Sequence, residues 1–283
     1  FRSQVLKQEK PVYIELDKIY RQSDNTFIDL LNNLRNNRVT KENVELLNTF
    51  YKPGYDSTKA LNTITLTTHN QKADTLNKSA LQELNGRSYF YYANIEGDFN
   101  EYAYPVEATL ELKVGAQIMF IKNDISGRQQ YFNGKIGVVS FLSDKEIEID
   151  FKDGSKPFML EHYQWKNNKY ELDAVTNEIE EIEIGSFTHY PIKLAWAITV
   201  HKSQGLTFEK AILDINRAFA PGHVYVALSR LKSLDGLVLT APIQFSAISQ
   251  DKVLVDYSEN KPKTEEVRQL IDQETVFFLL YYL

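Results

Sequence analysis

Two arginines stand at positions from which a rigid cation could act on a phosphate group. Arg230 ends the short apolar run YVALSR immediately before a turn, and Arg21, in YRQSD, lies just before a residue that can cap a helix. A guanidinium stays charged and offers a planar fork of donors, which suits it to neutralise charge on a phosphoryl group during transfer. Taken singly, each arginine is more often structural or solvated, so both interpretations stay open at this point.

A polar cluster follows the apolar run AWAITV. Its members are Thr199, His201, Lys202, Ser203 and Gln204, and it stops at Gly205. The plain interpretation is the end of an amphipathic helix, where cations suit the negative pole of the helix dipole. A zinc site is disfavoured, because His201 has no His or Cys partner nearby and zinc takes several ligands at close spacing.

Strand and helix patterns alternate around these residues. In the first part of the chain, PVYIEL (11–16) and the β-branched run NTITLTTHN (62–70) predict strands, and IYRQSD (19–24) predicts a loop. Asp24, Thr40 and Asn70 are the predicted caps of three helices. This alternation predicts a parallel α/β sheet.

The same alternation returns after Pro191. The run PIKLAWAITVHKSQG predicts a helix that begins near proline and stops at Gly205. KAILDI (210–215) and GLVLTA (236–241) predict strands, and PGHVYVALSR (221–230) predicts a helix between them.

Between these two parts lies a region of short strands. LELKVGAQIMFI (110–121) is extended, FNGKIGVVSFL (132–142) has an Asn-Gly turn before a strand, and KEIEIDFKDG (145–154) alternates cleanly. EHYQWKNNKYEL and EIEEIEIGSF predict further strands. Short strands at regular spacing predict a small β-barrel inserted in the α/β domain.

Composition restricts the classes of protein to consider. The 283 residues are 43% hydrophobic and 25% charged, which is typical of globular chains with a substantial core and predicts two domains. There is no cysteine, which excludes disulfides and thiolate metal sites. The net charge of −6 argues against nucleic-acid binding. Residues 171–187 and 246–283 hold the acidic excess, however, so a local basic groove is allowed.

The motifs taken in series resemble a known family. IYRQSD, LTTHNQKAD, LKVGAQIMFIKND, NGKIGVV, LAWAITVHKSQGLTF and PGHVYVALSRLKSLDGLVL occur in this order. Their order and wording resemble the C-terminal half of the petite-integration-frequency (Pif-type) DNA helicases, which are relatives of the RecD helicases in superfamily 1. The resemblance covers roughly residues 10–243 and leaves the acidic tail outside it.

The resemblance implies a fold and its boundaries. Residues 10–111 and 186–245 would form the second RecA-like helicase domain, which is discontinuous. Residues 112–185 would be an inserted SH3-like β-barrel, and residues 246–283 a C-terminal extension without an assigned role.

The resemblance also implies roles for individual residues. Arg21 matches the motif whose arginine reaches the γ-phosphate, and Arg230 matches the arginine finger. Gln204 and Gly205 match the motif that couples nucleotide to DNA. Two further sets would contact the backbone of single-stranded DNA, a grip that has no sequence preference. These sets are Thr67, Thr68, His69 and Asn70, and Thr199, His201, Lys202 and Ser203.

One departure from the family pattern limits the expected activity. The phosphate-binding sequence G-x-x-x-x-G-K-[ST] does not occur in the chain. In the family this motif and the Mg²⁺-binding acids belong to the first RecA-like domain, so ATP and Mg²⁺ would be held mainly there. We therefore expect a fragment of a longer protein, inactive alone, whose partners are that domain and single-stranded DNA.

The resemblance further implies ATP-dependent movement along DNA in the 5′ to 3′ direction, by an intracellular, bacterial protein that acts as a monomer. Two alternatives remain. The chain could be a non-catalytic nucleic-acid-binding module with an SH3-like barrel used for docking. It could also be a small-molecule α/β enzyme, although no G-x-G-x-x-G, nucleophile elbow or metal cluster supports that function.

Overall fold

A computed structural model of the chain describes residues 19–55, 63–172, 178–214 and 222–245, together with a few residues further on. The predicted strand at 11–16 and the apolar end FFLLYYL lie outside the described residues. Within the described part, no helix is long and apolar enough to cross a membrane.

The helices are α1 (Asn25–Arg35), α2 (Lys41–Asn48), α3 (Asn70–Glu83) and α4 (His223–Leu228). The strands are β1 (Ile64–Thr67), β2 (Tyr89–Tyr92), β3 (Asn94–Gly97), β4 (Thr109–Leu112), β5 (Gln117–Phe120), β6 (Ile136–Leu142), β7 (Ile147–Asp150), β8 (Phe158–Met159), β9 (Tyr163–Leu172), β10 (Ile179–His189), β11 (Ile192–Leu194), β12 (Ala197–Thr199), β13 (Ala211–Leu213) and β14 (Leu237–Leu239).

The first two helices begin where their capping residues predict. The Asp24 side chain accepts a hydrogen bond from the Thr26 amide, and Thr40 forms a reciprocal capping box with Asn43. The cap of α3 differs from the prediction. His69 occupies the cap position, but its side chain makes no capping hydrogen bond, and Asn70 is already the first helical residue. The prediction for Asn70 was therefore wrong by one residue.

A parallel sheet of four strands carries the predicted α/β architecture. Its order is β12–β1–β13–β14, and every neighbouring pair is parallel. All residues of β1, β12, β13 and β14 are buried, because helices and loops cover both faces. The prediction of a parallel α/β sheet is confirmed.

Two larger antiparallel sheets occupy the middle of the chain, next to a two-stranded antiparallel pair of β2 and β4. One has the order β11–β5–β6–β7–β8, and the other has the order β3–β10–β9. Both sheets take strands from outside residues 112–185, since β11 and β3 lie beyond those limits. The inserted SH3-like barrel and its boundaries therefore stay predictions.

The predicted helix over residues 191–205 was wrong. The chain forms β11 and β12 there, followed by one 3-10 turn at His201–Ser203. A strand that is buried on both faces gives a continuous apolar run, and such a run has the same sequence signature as a buried helix. Gly205 still ends this segment, with a φ of 82° that glycine adopts without strain.

Candidate nucleotide and nucleic-acid site

Arg21 crosses to a segment near the other end of the chain. Its Nε donates to Thr207 Oγ1 at 2.9 Å, and its Nη1 donates to the Ser229 carbonyl oxygen at 2.6 Å. The loop before α1 is thereby attached to the residues that follow β12 and α4. The guanidinium is half-buried, so its orientation is fixed while part of it remains accessible.

Arg230 lies on the other side of the same serine. Its Nη2 donates to Ser229 Oγ at 2.8 Å, and its Nε donates to the Val226 carbonyl oxygen at 3.1 Å. Burial and then the positive charge of Arg21 lower the pKa of Arg230, and Tyr225 opposes them. In the described part of the chain neither guanidinium has an acidic partner within ion-pair distance. The pair is therefore suited to an anion supplied from outside.

Gln22 holds this arrangement together. Its buried amide donates to the carbonyl oxygens of Ser229 at 3.3 Å and Leu231 at 2.7 Å. The Phe208 amide also donates to the Arg230 carbonyl at 2.9 Å. Gln22, Thr207 and Ser229 were missed in the sequence. The available signal was that each of them lies inside a recognised motif: Gln22 in IYRQSD, Thr207 in LAWAITVHKSQGLTF and Ser229 in PGHVYVALSRLKSLDGLVL.

Gln204 and Gly205 lie in the exposed turn that leads to Thr207. A Cβ built on Gly205 would meet nothing within 4 Å, so the backbone here is open to an approaching ligand. The turn is closed by a hydrogen bond from the Leu206 amide to the Ser203 carbonyl at 3.0 Å. The two residues stand close in sequence to the contact of Arg21.

The two predicted DNA-contacting sets meet at one edge of the parallel sheet. Thr67 and Thr199 are paired across β1 and β12, and the Val200 amide donates to the Thr67 carbonyl at 2.9 Å. Parallel strands end at the same edge, so the residues that follow both strands are brought together there.

Burial divides these eight residues into two groups. Thr67, Thr199 and Ser203 are buried, and the Ser203 hydroxyl donates to the Val200 carbonyl at 2.6 Å. They shape the turn rather than face solvent. The residues with exposed or partly exposed side chains are Thr68, His69, Asn70, His201 and Lys202.

An aromatic contact connects this edge to α4. The rings of His201 and His223 meet edge to face with centroids 4.8 Å apart. His223 is the first residue of the helix that leads to Ser229 and Arg230. The described residues contain no group of three or more His, Cys, Asp or Glu that could hold a metal ion.

Comparisons with known proteins show which proteins this chain is similar to. No protein-family model matches the chain. The ATP-dependent DNA helicase PIF1 of Homo sapiens is 34% identical over 243 residues, which are 84% of this chain and 36% of the human protein. The chain thus spans about a third of the length of that relative.

Solved structures of a bacterial protein are similar over most of the chain. Pif1 from Bacteroides sp in complex with ADP-AlF4 gives a TM-score of 0.80 at 36% identity, covering 91% of this chain and 58% of that one. Bacteroides Pif1 bound to ssDNA gives a TM-score of 0.63 at 37% identity, covering 90% and 58%.

Proposed function

The chain is a homologue of the Pif1 DNA helicases over most of its length, and on that premise we propose that it is the C-terminal motor part of an ATP-dependent DNA helicase. The protein would move along single-stranded DNA in the 5′ to 3′ direction. It would act as an intracellular, bacterial monomer. Residues 10–111 and 186–245 would be its second RecA-like domain, with residues 112–185 as an SH3-like insertion.

The convergence of Arg21 and Arg230 on Ser229 is the observation that carries this proposal. Two guanidinium groups on separate segments are fixed side by side without an acidic partner among the described residues. Bound ATP would supply the phosphoryl group that is transferred to water. The arginines would then offset the negative charge that develops on it, which is worth several orders of magnitude in rate.

Gln204 and Gly205 would report the state of the nucleotide site to the strand-gripping residues. They lie between Thr207, which Arg21 contacts, and the turn at His201–Ser203. The exposed donors at the edge formed by β1 and β12 would hold phosphates of the DNA backbone, which gives grip without base specificity. Thr67, Thr199 and Ser203 would hold the backbone of this edge in place.

A first RecA-like domain in the same protein would complete the ATP site. It would supply the phosphate-cradling loop and the Mg²⁺-binding acids, since the chain itself has no G-x-x-x-x-G-K-[ST]. The alternative is a nucleic-acid-binding module without catalysis, and it describes how the isolated chain would behave.

Substitution of Arg230 tests the proposal. In the full-length protein, Arg230→Ala is expected to lower DNA-stimulated ATP turnover by about 10³-fold or more, as loss of an arginine finger does. Its affinity for single-stranded DNA, measured by fluorescence anisotropy, is expected to stay within about threefold of the parent, because one distant cation contributes little to backbone binding.

The matched control is Arg128→Ala, which removes an exposed arginine from the loop between β5 and β6 and should leave turnover unchanged. ATP turnover that survives in the Arg230→Ala variant would refute the assigned role of Arg230. Appreciable turnover by the isolated chain would refute the claim that half of the site lies elsewhere.

A further inference from the structure

Lys193 belongs to a row of three residues that runs across the five-stranded antiparallel sheet. It pairs with Met119 across β11 and β5, and Met119 pairs with Ile136 across β5 and β6. Directly paired residues of antiparallel strands point to the same face. The three side chains therefore share one face of this sheet.

That face is turned toward the segment that follows β12. Met119 is buried in the hydrophobic core that contains Val200 and Leu206, and Ile136 packs against the same core. The turn before β6 also packs against this segment, because a Cβ built on Gly134 would lie 2.8 Å from a methyl carbon of Leu206. The row thus lies against residues 200–206, which include the turn at His201–Ser203.

Lys193 forms the end of this row and is half-buried. Burial lowers the pKa of Lys193, and the nearby ammonium group of Lys202 lowers it further. Within the part of the chain that the structure describes, neither lysine side chain has an acidic partner or a hydrogen bond. Two cations, one of them partly desolvated, are brought together at a cost to stability.

An anion bound between the two ammonium groups would remove this cost. A ligand that carries a full negative charge on its oxygen atoms would neutralise the two ammonium groups. An extended shape would suit it to a site that is open to solvent on one side. Lys202 lies on the exposed side of the turn, beside His201 at the edge where β1 and β12 end. A backbone phosphate of a passing strand meets these requirements.

We propose that Lys193 and Lys202 together bind one phosphodiester group of single-stranded DNA, so that the five-stranded antiparallel sheet contacts the DNA directly. This inference rests on the proposed function and extends it to a residue outside the recognised motifs. It also gives β11 a role, since this strand carries one of the two cations.

The test is the salt dependence of oligothymidylate binding by the full chain. Each phosphate contact on a single strand contributes about −0.7 to the slope of log K against log salt. Lys193→Gln is expected to make the slope less negative by about 0.7 and to weaken binding about fivefold at ~0.1 M salt. Lys193→Arg keeps the charge and is expected to restore both values. A mixed-sequence oligonucleotide should show the same loss, because the contact is to the backbone.

Lys145→Gln is the matched control. Lys145 is exposed in the turn at the far end of β6, which at ~3.4 Å per residue places it roughly 20 Å from the row along that strand. Lys145→Gln should leave the slope of log K against log salt unchanged. Thermal stability gives a second readout. Lys193→Gln should melt at the parent temperature or above, because it removes a half-buried charge and its repulsion by Lys202.

The outcomes separate this inference from the proposed function. Failure of the parent chain to bind the oligonucleotide would overturn both. Binding by the parent with an unchanged slope in Lys193→Gln would overturn the inference alone. Weaker binding accompanied by a lower melting temperature would assign Lys193 a structural role and would equally overturn it. Competition by millimolar ADP that is lost in Lys193→Gln would place a nucleotide phosphate, not DNA, at these lysines.

Discussion

The carbonyl oxygen of Ser229 accepts hydrogen bonds from Arg21 and Gln22, while the hydroxyl of the same residue accepts one from Arg230. One short residue therefore sets the distance between two cations that would otherwise repel each other. The surrounding hydrogen bonds offset the repulsion and hold the guanidinium groups in place before any ligand arrives. Fixed charges of this kind need no reorganisation during a reaction, which is the basis of electrostatic catalysis.

The sequence predicts the positions of Arg21 and Arg230 better than it predicts the residues that they contact. Arg21 and Arg230 are recognisable because each belongs to a motif with an ordered position in the series. Their contacts are not recognisable, because Arg21 reaches Thr207 and Ser229 across 186 and 208 residues. Burial was equally hidden, since the hydroxyls of Thr68 and Ser203 look alike in sequence although Ser203 is buried and Thr68 is partly exposed.

His189 leads to a prediction about acid stability. Its ring is fully buried at the end of β10, and neither ring nitrogen has a hydrogen-bond partner in the described structure. Burial, with a smaller effect of the charge of His162, lowers the pKa of His189 to about 4. Phe187 and Tyr190 supply the other rings around it. The protonated ring is therefore strongly disfavoured in the folded protein.

The sign of the pH effect follows from this depressed pKa. The folded state binds the proton less readily than the unfolded state, whose histidine pKa is about 6.5. The stabilisation is complete above about pH 6.5 and is lost as the pH falls toward about 4, with a total of about 3 kcal/mol. Urea unfolding at pH 7.5 and pH 5 should show a smaller loss in His189→Gln than in the parent. Equal losses in the two proteins would contradict the prediction.

At the scale of elements, β12 is an edge strand of the parallel sheet, and α3 compensates for its missing neighbour. The Asn77 side chain accepts a hydrogen bond from the Ala197 amide at 2.8 Å and donates one to the Ala197 carbonyl at 2.9 Å. One amide group thus replaces the ladder that a further strand would provide. This contact fixes the strand whose end carries Thr199 and the turn that follows.

The edge contact also explains why the segment could not be predicted from sequence. The identity of β12 as a strand depends on pairing with β1, which lies more than a hundred residues earlier, and on an asparagine of α3. The local sequence pattern around β12 contains no information about either of these partners. Other elements depend on local signals, and α1, α2 and the Asn-Gly turn before β6 were predicted correctly for that reason.

Asn77→Leu should destabilise the fold through this edge. Ala197 is buried, so its amide and carbonyl would lose their partners without gaining water, at a cost of about 2–4 kcal/mol. The loss is measured as a lower urea midpoint, and hydrogen exchange at the Ala197 amide should accelerate. Asn77→Asp keeps an acceptor for the Ala197 amide, and its urea midpoint should fall between those of the parent and of Asn77→Leu.

Lys78→Ala serves as the control for this helix, because Lys78 is exposed and its loss should change stability by no more than about 0.5 kcal/mol. A urea midpoint of Asn77→Leu equal to that of Lys78→Ala would show that water replaces the asparagine at the strand edge.

At the scale of the whole molecule, β5 belongs to two hydrophobic cores at once. Met119 packs in the core of the parallel sheet, whereas Ile118 and Phe120 on either side of it pack in the core of the antiparallel sheet. The buried Gln117 amide adds a polar connection, since it donates to Thr63 at 3.0 Å and to Ala195 at 2.8 Å. Neither core can be disrupted without altering the strand that the other core needs.

This sharing predicts that the two parts of the chain unfold together. Met119→Ala in one core and Ile149→Ala in the other should each cost about 2–5 kcal/mol, as large-to-small changes at buried sites do. Both variants should lower the midpoint of one common calorimetric transition, with equal calorimetric and van't Hoff enthalpies. Two transitions, of which each variant shifts only one, would show that the sheets fold independently. A single transition would mean that both parts form one cooperative unit. A ligand that binds only the folded state raises the free energy of unfolding of the whole unit. A ligand bound at the five-stranded sheet would therefore also stabilise the folded segment that holds Arg21 and Arg230.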